Sequence, residues 1–196
     1  MRSLVVVRHS LTRKGCPAMD SGSHLSSEGV RSARALGDEL PAFAHVAVGD
    51  QPRHLETAVA LGWAVDERIA WPSGYVDGVV AHHDQWAWTE PFRTYADLLA
   101  DSSALAEMAE AHLAEWRRML SAVDDDAAVL VVSSGGSIEP VLVAAMPDAD
   151  HASWGSAFHH LEGARLSWDG SRFRSVRLIR RRREGQEAGE GRARYP

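Results

Sequence analysis

The residues of this sequence best suited to chemistry are Arg8 and His9, which directly follow the apolar run 4–7 (LVVV). Such a short β-branched run is typical of a strand buried on both faces of a parallel sheet. In an open α/β sheet, ligands bind just beyond the carboxyl ends of the strands. A histidine there can act as a nucleophile, and a neighbouring arginine can hold two phosphoryl oxygens. An ordinary polar loop could also contain such a pair.

Two further segments could complete an anion site at the same edge of a sheet. Arg53 opens a predicted helix over residues 53–61, directly after a predicted strand at 45–48. It could close a clamp around a dianion, or it could simply lie on the helix surface. Residues 131–137 (VVSSGGS) predict a buried strand, a glycine turn and a helix start. Exposed N–H groups at such a helix start favour an anion, although glycine is also used there for turn geometry alone.

Taken in order, these motifs resemble those of the histidine phosphatase (phosphoglycerate-mutase-like) superfamily, and the match covers about residues 3–145. The motifs that carry the resemblance are Arg8-His9 after a strand, Leu25-Ser26-x-x-Gly29-x-x-x-Ala33, Arg53-x-x-x-Thr57-Ala58, and a strand followed by Ser133-x-Gly135-Gly136.

The resemblance implies a fold, a reaction and a set of residue roles. The fold is a three-layer α/β/α sandwich with a mostly parallel central sheet. His9 is the nucleophile that accepts the phosphoryl group, and Arg8 and Arg53 bind that group and stabilise it during transfer. The ligand is a small phosphorylated or otherwise anionic molecule, and neither a metal nor an organic cofactor is implied.

The sequence departs from the family pattern at the second catalytic histidine. The family motif Ser-His-Gly-Gly reads Ser133-Ser134-Gly135-Gly136 here, so Ser134 stands where that histidine belongs. A serine hydroxyl is shorter and uncharged, and losing one preorganised donor of this kind typically costs roughly 10²–10³ in rate.

The general acid also departs from the family pattern. Alignment on Gly74 places Ala70 where the family carries a carboxylate. Glu67, Asp77 and Asp84 are neighbouring carboxylates, and Asp77 is our first candidate, although an aspartate before a glycine is equally typical of a turn. A missing acid typically removes roughly 10²–10⁴ in rate.

These observations leave three functions open. The first is an attenuated phosphatase that hydrolyses a small phosphate monoester through phospho-His9. The second is a catalytically impaired relative that binds a phosphorylated ligand or partner. The third is a pocket reused for other chemistry on an anionic substrate. The intact set of Arg8, His9 and Arg53 favours the enzyme, whereas Ser134 and Ala70 favour the binding module.

The remaining pattern predicts the elements that position these residues. Helices are expected at 26–40, 103–123 and 138–145, with Pro140 in the first turn of the last of these. A strand is expected at 127–132, and Asp169-Gly170 predicts a two-residue hairpin between strands 161–168 and 172–179. Residues 63–92 are rich in tryptophan, proline and glycine and predict an irregular insertion or lid.

Several histidines and tryptophans have plainer interpretations. His112 falls on the apolar stripe of the long helix and is expected to be packed in the core. The pairs His82-His83 and His159-His160 do not predict a metal site, because adjacent residues on a strand point to opposite faces. His159 and His24 are expected near the rim of the pocket, and the tryptophans of residues 71–88 are expected mainly to anchor the loop.

Composition limits the remaining possibilities. The 196 residues are 45% hydrophobic, which fits one domain (1–179) and an Arg/Glu/Gly-rich tail (180–196) that we expect to be flexible. A net charge of -6 argues against a nucleic-acid binder. No apolar run is long enough to span a membrane, no signal peptide is recognisable, and Cys16 is the only cysteine, expected to be an ordinary thiol. We therefore expect a cytoplasmic protein, and its oligomeric state does not follow from the sequence.

Overall fold

A computed structural model describes residues 1–13 and 24–181, which form a six-stranded sheet between two layers of helices. The sheet order is β3-β2-β4-β1-β5-β6, in which β1 to β4 run parallel and β5 is antiparallel to both β1 and β6. The strands are β1 (Arg2–Arg8), β2 (His45–Gly49), β3 (Glu67–Ile69), β4 (Ala128–Ser133), β5 (Gly163–Trp168) and β6 (Phe173–Ile179).

Helices cover both faces of this sheet, which confirms the predicted three-layer α/β/α sandwich. Helices α1 and α2 pack on the face that carries Val5 and Val7 of β1, and α3, α4 and α5 pack on the face that carries Leu4 and Val6. The helices are α1 (Ser27–Gly37), α2 (Pro52–Ala60), α3 (Pro91–Asp101), α4 (Ser103–Ala122) and α5 (Gly135–Ala145).

The central strands have the burial that their sequences predict. Residues 4–7 of β1 and all six residues of β4 are buried, because each strand has a neighbour on both sides and helices on both faces. His112 is also buried, as predicted: its Nε2 lies 2.9 Å from the Pro72 carbonyl oxygen and its ring stacks on Trp71.

One helix was missed, and several predicted boundaries were wrong. Helix α3 was not predicted, and it begins at Pro91, inside the segment 63–92 that we expected to be irregular; proline is well tolerated at the first helical position. Helix α5 begins at Gly135, three residues earlier than predicted, so Pro140 lies in its second turn rather than its first. Helix α1 ends at Gly37 instead of residue 40.

The final hairpin is confirmed, but its loop is longer than predicted. Trp168 pairs with Phe173, so four residues connect β5 to β6 instead of two. Asp169 holds this loop by accepting hydrogen bonds from the backbone N–H groups of Ser171 and Arg172.

Packing against the domain continues beyond Ile179, where the sequence predicted the domain to end. Arg180 forms a 2.8 Å ion pair with the buried Glu162, and its guanidinium lies 4.8 Å from the ring centre of Phe158. Residues 182–196 of the predicted tail and Cys16 lie outside the described residues. Within the described part of the chain, no helix is long and apolar enough to cross a membrane.

Candidate active site

Four of the five predicted site residues line one pocket of about 410 Å³. The pocket lies at the carboxyl ends of the parallel strands, because Arg8 ends β1 and Ser134 follows β4. His9 follows Arg8, and Arg53 reaches the pocket from the first turn of α2. The fifth predicted residue, Asp77, is not among the described residues that line this pocket.

Backbone contacts on two sides fix the position of His9. Its N–H donates to the carbonyl oxygen of Ser133 at 2.9 Å, which ties it to the end of β4. Its Nδ1 lies 2.8 Å from the carbonyl oxygen of Ser10, so Nδ1 carries a proton and donates it there. The lone pair is then on Nε2. Burial lowers the pKa of His9 well below its usual value, so that the ring is neutral near pH 7.

The loop after β1 is held by residues from two of the motifs that carry the family resemblance. The backbone N–H of Ser10 donates to Thr57 Oγ1 at 3.0 Å, and the Ser10 hydroxyl donates to the Gly29 carbonyl at 2.7 Å. Gly29 packs so closely on this loop that a Cβ there would lie 2.2 Å from the Leu11 carbonyl oxygen. Both motifs therefore position His9 from neighbouring helices.

Arg8 is held from the other side of the pocket. Its Nη1 donates to the Phe158 carbonyl at 2.5 Å, and its guanidinium lies 4.9 Å from the ring centre of Trp86. Burial lowers the pKa of Arg8, while the nearby Glu139 acts in the opposite direction. Glu139 is fully buried, and its Oε1 accepts a 2.5 Å hydrogen bond from the Phe158 N–H. Burial raises the pKa of Glu139 to about 7.

Ser134 meets two side chains of helix α2. Arg53 Nη2 lies 3.5 Å from Ser134 Oγ, and His54 Nε2 lies 3.0 Å from the same oxygen. The ring centres of His54 and His9 are 5.6 Å apart. Burial, followed by the charge of Arg53, lowers the pKa of His54 to about 4, so this imidazole is also neutral near pH 7. Sequence reasoning assigned no role to His54, although its place next to Arg53 was a usable signal.

The segment between β3 and α3 covers the pocket and contributes Tyr75, His82, His83 and Gln85 to its lining. Gln85 Nε2 lies 3.3 Å from the Tyr75 hydroxyl, which links two parts of this segment. The predicted irregular lid therefore borders the site, although this lining was not predicted residue by residue.

This covering segment packs directly on the start of α5. A Cβ at Gly74 would lie 1.7 Å from the Gly136 carbonyl oxygen, and one at Gly136 would lie within 3 Å of the Tyr75 ring. Neither glycine has a positive φ. Gly136 is therefore needed for close approach of the covering segment, and not for the turn geometry that the sequence also allowed.

The carboxylates considered for the general acid lie away from the pocket lining. Asp77 is exposed in the turn between Val76 and Val80. Glu67, the first residue of β3, forms an ion pair with Arg118 of α4. Asp84 accepts a hydrogen bond from the Ala81 N–H at 2.8 Å. None of the described residues that line the pocket is acidic.

One carboxylate borders the adjoining cavity. Asp50 lines a space of about 330 Å³ that shares Arg53 and Ser134 with the main pocket. Sequence reasoning did not consider Asp50, because it searched downstream of Arg53.

Of the other histidines considered from the sequence, His160 lines the pocket, whereas His159 and His24, which were expected near its rim, are not among its described lining residues. The ring centre of His160 lies 5.4 Å from that of His9. His159 packs on Trp86, and His24 pairs with Glu56 at 2.5 Å. Among the residues described here, no group of three or more histidine, cysteine or acidic side chains is arranged to hold a metal ion.

Comparisons with known proteins show similarity in structure and not in sequence. No protein-family profile and no curated protein matches the chain. Among solved structures, phosphoserine phosphatase of Entamoeba histolytica, bound to 3-phosphoglyceric acid, has a TM-score of 0.60 at 13% identity and covers 90% of this chain and 96% of its own. The YhfR protein of Bacillus stearothermophilus has a TM-score of 0.57 at 18% identity, covering 89% and 95%.

A third similar structure is a mycobacterial glucosyl-3-phosphoglycerate phosphatase solved with VO₃, with a TM-score of 0.52 at 25% identity, covering 91% of this chain and 97% of its own. This chain has the histidine phosphatase fold. Proteins of this fold that are similar to it include phosphatases of phosphorylated small molecules.

Proposed function

We propose that this protein hydrolyses small phosphate monoesters through a phosphoryl group carried transiently on His9. The observation that supports this most directly is the hydrogen bond of His9 Nδ1 to the Ser10 carbonyl. It leaves the lone pair on Nε2, in a pocket that also contains two arginines and no acidic residue among its described lining. A neutral imidazole between two fixed cations suits attack on a phosphate dianion.

The reaction proceeds in two displacements at phosphorus. His9 Nε2 attacks phosphorus, the bond from phosphorus to the ester oxygen breaks, and the departing oxygen takes its proton from solvent water. Water then attacks the phospho-His9 intermediate, which releases inorganic phosphate and restores the neutral imidazole. Arg8 and Arg53 hold the equatorial oxygens in both steps, and their charges offset the charge that develops there.

We further propose that turnover is attenuated. The resemblance places a second histidine where Ser134 stands, and no carboxylate lies among the described lining residues to protonate the leaving alcohol. The same two observations favour the second candidate, a module that binds a phosphorylated ligand without consuming it. Two similar structures support the enzyme, because both are named as phosphatases of phosphorylated small molecules.

Hydrolysis of p-nitrophenyl phosphate, with His9→Ala as the control, separates these candidates. A phosphatase gives phosphate release that the control loses, while both proteins stay folded. A binding module gives no release above that of the control, yet binds inorganic phosphate in calorimetry. Release that survives in His9→Ala would contradict the proposed role of His9.

A further inference from the structure

His54 is a buried imidazole whose place in the site is not explained by the fold alone. It is 4% exposed, lies on the first turn of α2, and has its Nε2 3.0 Å from Ser134 Oγ. Its ring is within 6 Å of the ring of His9. An imidazole is therefore held directly behind the hydroxyl that stands where the resemblance places a second histidine.

The backbone around His54 is shaped to admit its ring. A Cβ at Gly49, the last residue of β2, would lie 2.3 Å from His54 Nδ1, so glycine is required there. Ser134 precedes α5, yet its side chain makes no hydrogen bond that caps this helix. Its hydroxyl is therefore available to His54 instead of to the helix.

We propose that His54 and Ser134 act as a pair in place of the second histidine, with the His54 Nε2–H donating to Ser134 Oγ and the Ser134 hydroxyl donating to the bound phosphoryl group. This inference rests on the proposed function. Ser134 contacts the substrate, and His54 is a positioning residue that acts through it.

The donors around Ser134 explain where its proton points. A serine hydroxyl has one proton and two lone pairs. Arg53 Nη2 and His54 Nε2 both lie within 3.5 Å of Ser134 Oγ, and in the proposed arrangement, with the proton of His54 on Nε2, both donate to those lone pairs. The proton must then point away from both donors, towards the pocket. Because hydrogen bonds in series polarise one another, two donors behind the hydroxyl also make it a stronger donor.

The competing arrangement has the opposite proton order. If Ser134 donates to His54 Nε2, the hydroxyl proton points away from the pocket and the pair gives the phosphoryl group nothing. His54 would then be a packed histidine, and removing it would affect stability without affecting phosphate binding. The two arrangements differ in solution behaviour and can be separated by variants.

The test compares His54→Ala, Ser134→Ala and the double variant, with His54→Gln as the conservative change, since glutamine keeps an N–H donor. His45→Ala is the matched control, because His45 begins β2 at the opposite end of the strand, beside Glu67. Each protein is measured for thermal unfolding, for binding of inorganic phosphate by calorimetry, and for kcat with p-nitrophenyl phosphate.

If the two residues act as a pair, His54→Ala and Ser134→Ala should each weaken phosphate binding by about tenfold. Each should also lower kcat by roughly 10- to 100-fold. The double variant should be no worse than either single variant, because the two side chains act as one unit. His54→Gln should keep most of the binding, and His45→Ala should keep all of it.

A folded His54→Ala protein that binds phosphate as tightly as the unaltered chain would overturn the inference. So would effects of His54→Ala and Ser134→Ala that add in the double variant. Absence of turnover in the unaltered protein would instead contradict the proposed phosphatase, and the phosphate-binding measurements would still decide whether the pair exists.

Discussion

The two sides of the pocket are built in different ways. The strand-end wall, which consists of Arg8, His9, Arg53 and Ser134, comes from the ends of buried parallel strands and the helix starts that follow them. The covering wall comes from the irregular segment between β3 and α3 and consists of Tyr75, His82, His83 and Gln85. The first wall is fixed by the sheet, whereas the second is fixed by contacts with the start of α5.

This difference suggests a division of labour. Under the proposed function, the strand-end wall carries the groups that any phosphate ester needs, namely a nucleophile and two cations. The covering wall would then face the remainder of the substrate, to which it offers imidazoles, a phenol and an amide, but no carboxylate. We therefore expect changes in the strand-end wall to affect every substrate, and changes in the covering wall to affect the choice among substrates.

The largest effect should come from the absence of an acid in the covering wall. Without a proton donor, the rate should depend steeply on the acidity of the leaving alcohol. We expect kcat/KM for p-nitrophenyl phosphate to exceed that for an alkyl phosphate by roughly 10²–10⁴ beyond the difference in binding, the usual contribution of general acid catalysis. Steady-state kinetics over a series of phosphate esters measures this. Equal rates across the series would show that a proton donor is present.

That donor can be sought with two matched variants. Asp50→Asn removes the carboxylate that borders the adjoining cavity, and Asp77→Asn removes the exposed one in the turn. If a donor exists, the variant that lowers alkyl phosphate turnover while sparing the aryl ester identifies it.

The next effect concerns the strand-end wall itself. Arg53→Ala removes a cation from the phosphoryl site and should lower kcat/KM by roughly 10²–10³ for aryl and alkyl phosphates alike. A loss confined to one class of ester would instead place Arg53 in the recognition of the leaving group.

A smaller effect is expected from the covering wall. His82 and His83 both line the pocket. A His82→Ala/His83→Ala double variant should therefore raise KM for esters with a large leaving group by about tenfold, in line with the loss of one or two hydrogen bonds. Turnover of p-nitrophenyl phosphate should change by much less. An equal loss with every ester would show that the covering wall takes part in chemistry.

The smallest effect concerns the free energy of unfolding, whose dependence on pH is influenced by Glu139 behind the strand-end wall. The pKa of Glu139 is about 7 in the folded protein and near 4.5 when exposed. The folded state therefore keeps this proton at pH values where the unfolded state has lost it, and stability falls as pH rises from about 4.5 to 7. Glutamine cannot ionise, so Glu139→Gln should be stabilised relative to the unaltered protein as the pH rises. The change that it makes in the free energy of unfolding should be more favourable at pH 8 than at pH 4.5 by about 1–3 kcal/mol.

Glu162 provides the opposite case as a matched control. Its burial acts to raise its pKa, but it accepts hydrogen bonds from the His159 N–H and from Arg180, and these contacts lower the pKa below the usual value. Its contribution is therefore present at neutral pH and is lost in acid. Thermal unfolding of Glu162→Gln should show a loss of stability at pH 8 that becomes smaller towards pH 3. If Glu139→Gln and Glu162→Gln changed stability with pH in the same direction, the opposite pKa shifts assigned to Glu139 and Glu162 would be contradicted.

The same two walls show how much the sequence could predict. Apolar runs whose ends meet at one edge of a parallel sheet pointed to Arg8, His9, Arg53 and the turn that contains Ser134, and the family resemblance then selected these four residues. The covering wall was predicted only as an irregular segment. Its path depends on which residues pack on α5, and no periodicity encodes that.

The individual errors have the same origin. Asp77 was chosen from its spacing to a glycine, but spacing fixes a position only inside a regular element, and residue 77 lies in an exposed turn. His54 was overlooked because its partner, Ser134, is 80 residues away in the chain. His160 lies in a loop between α5 and β5, where sequence pattern does not indicate which side chain faces the pocket.

Trapping the phosphorylated intermediate tests directly whether His9 carries the phosphoryl group. The protein is mixed with excess p-nitrophenyl phosphate, quenched within milliseconds in alkali, where phosphohistidine survives, and digested for mass spectrometry. The account predicts a phosphoryl group on the peptide that contains His9, formed at least as fast as turnover and absent from His9→Ala. Turnover without this species, or a phosphoryl group on any other residue, would contradict it.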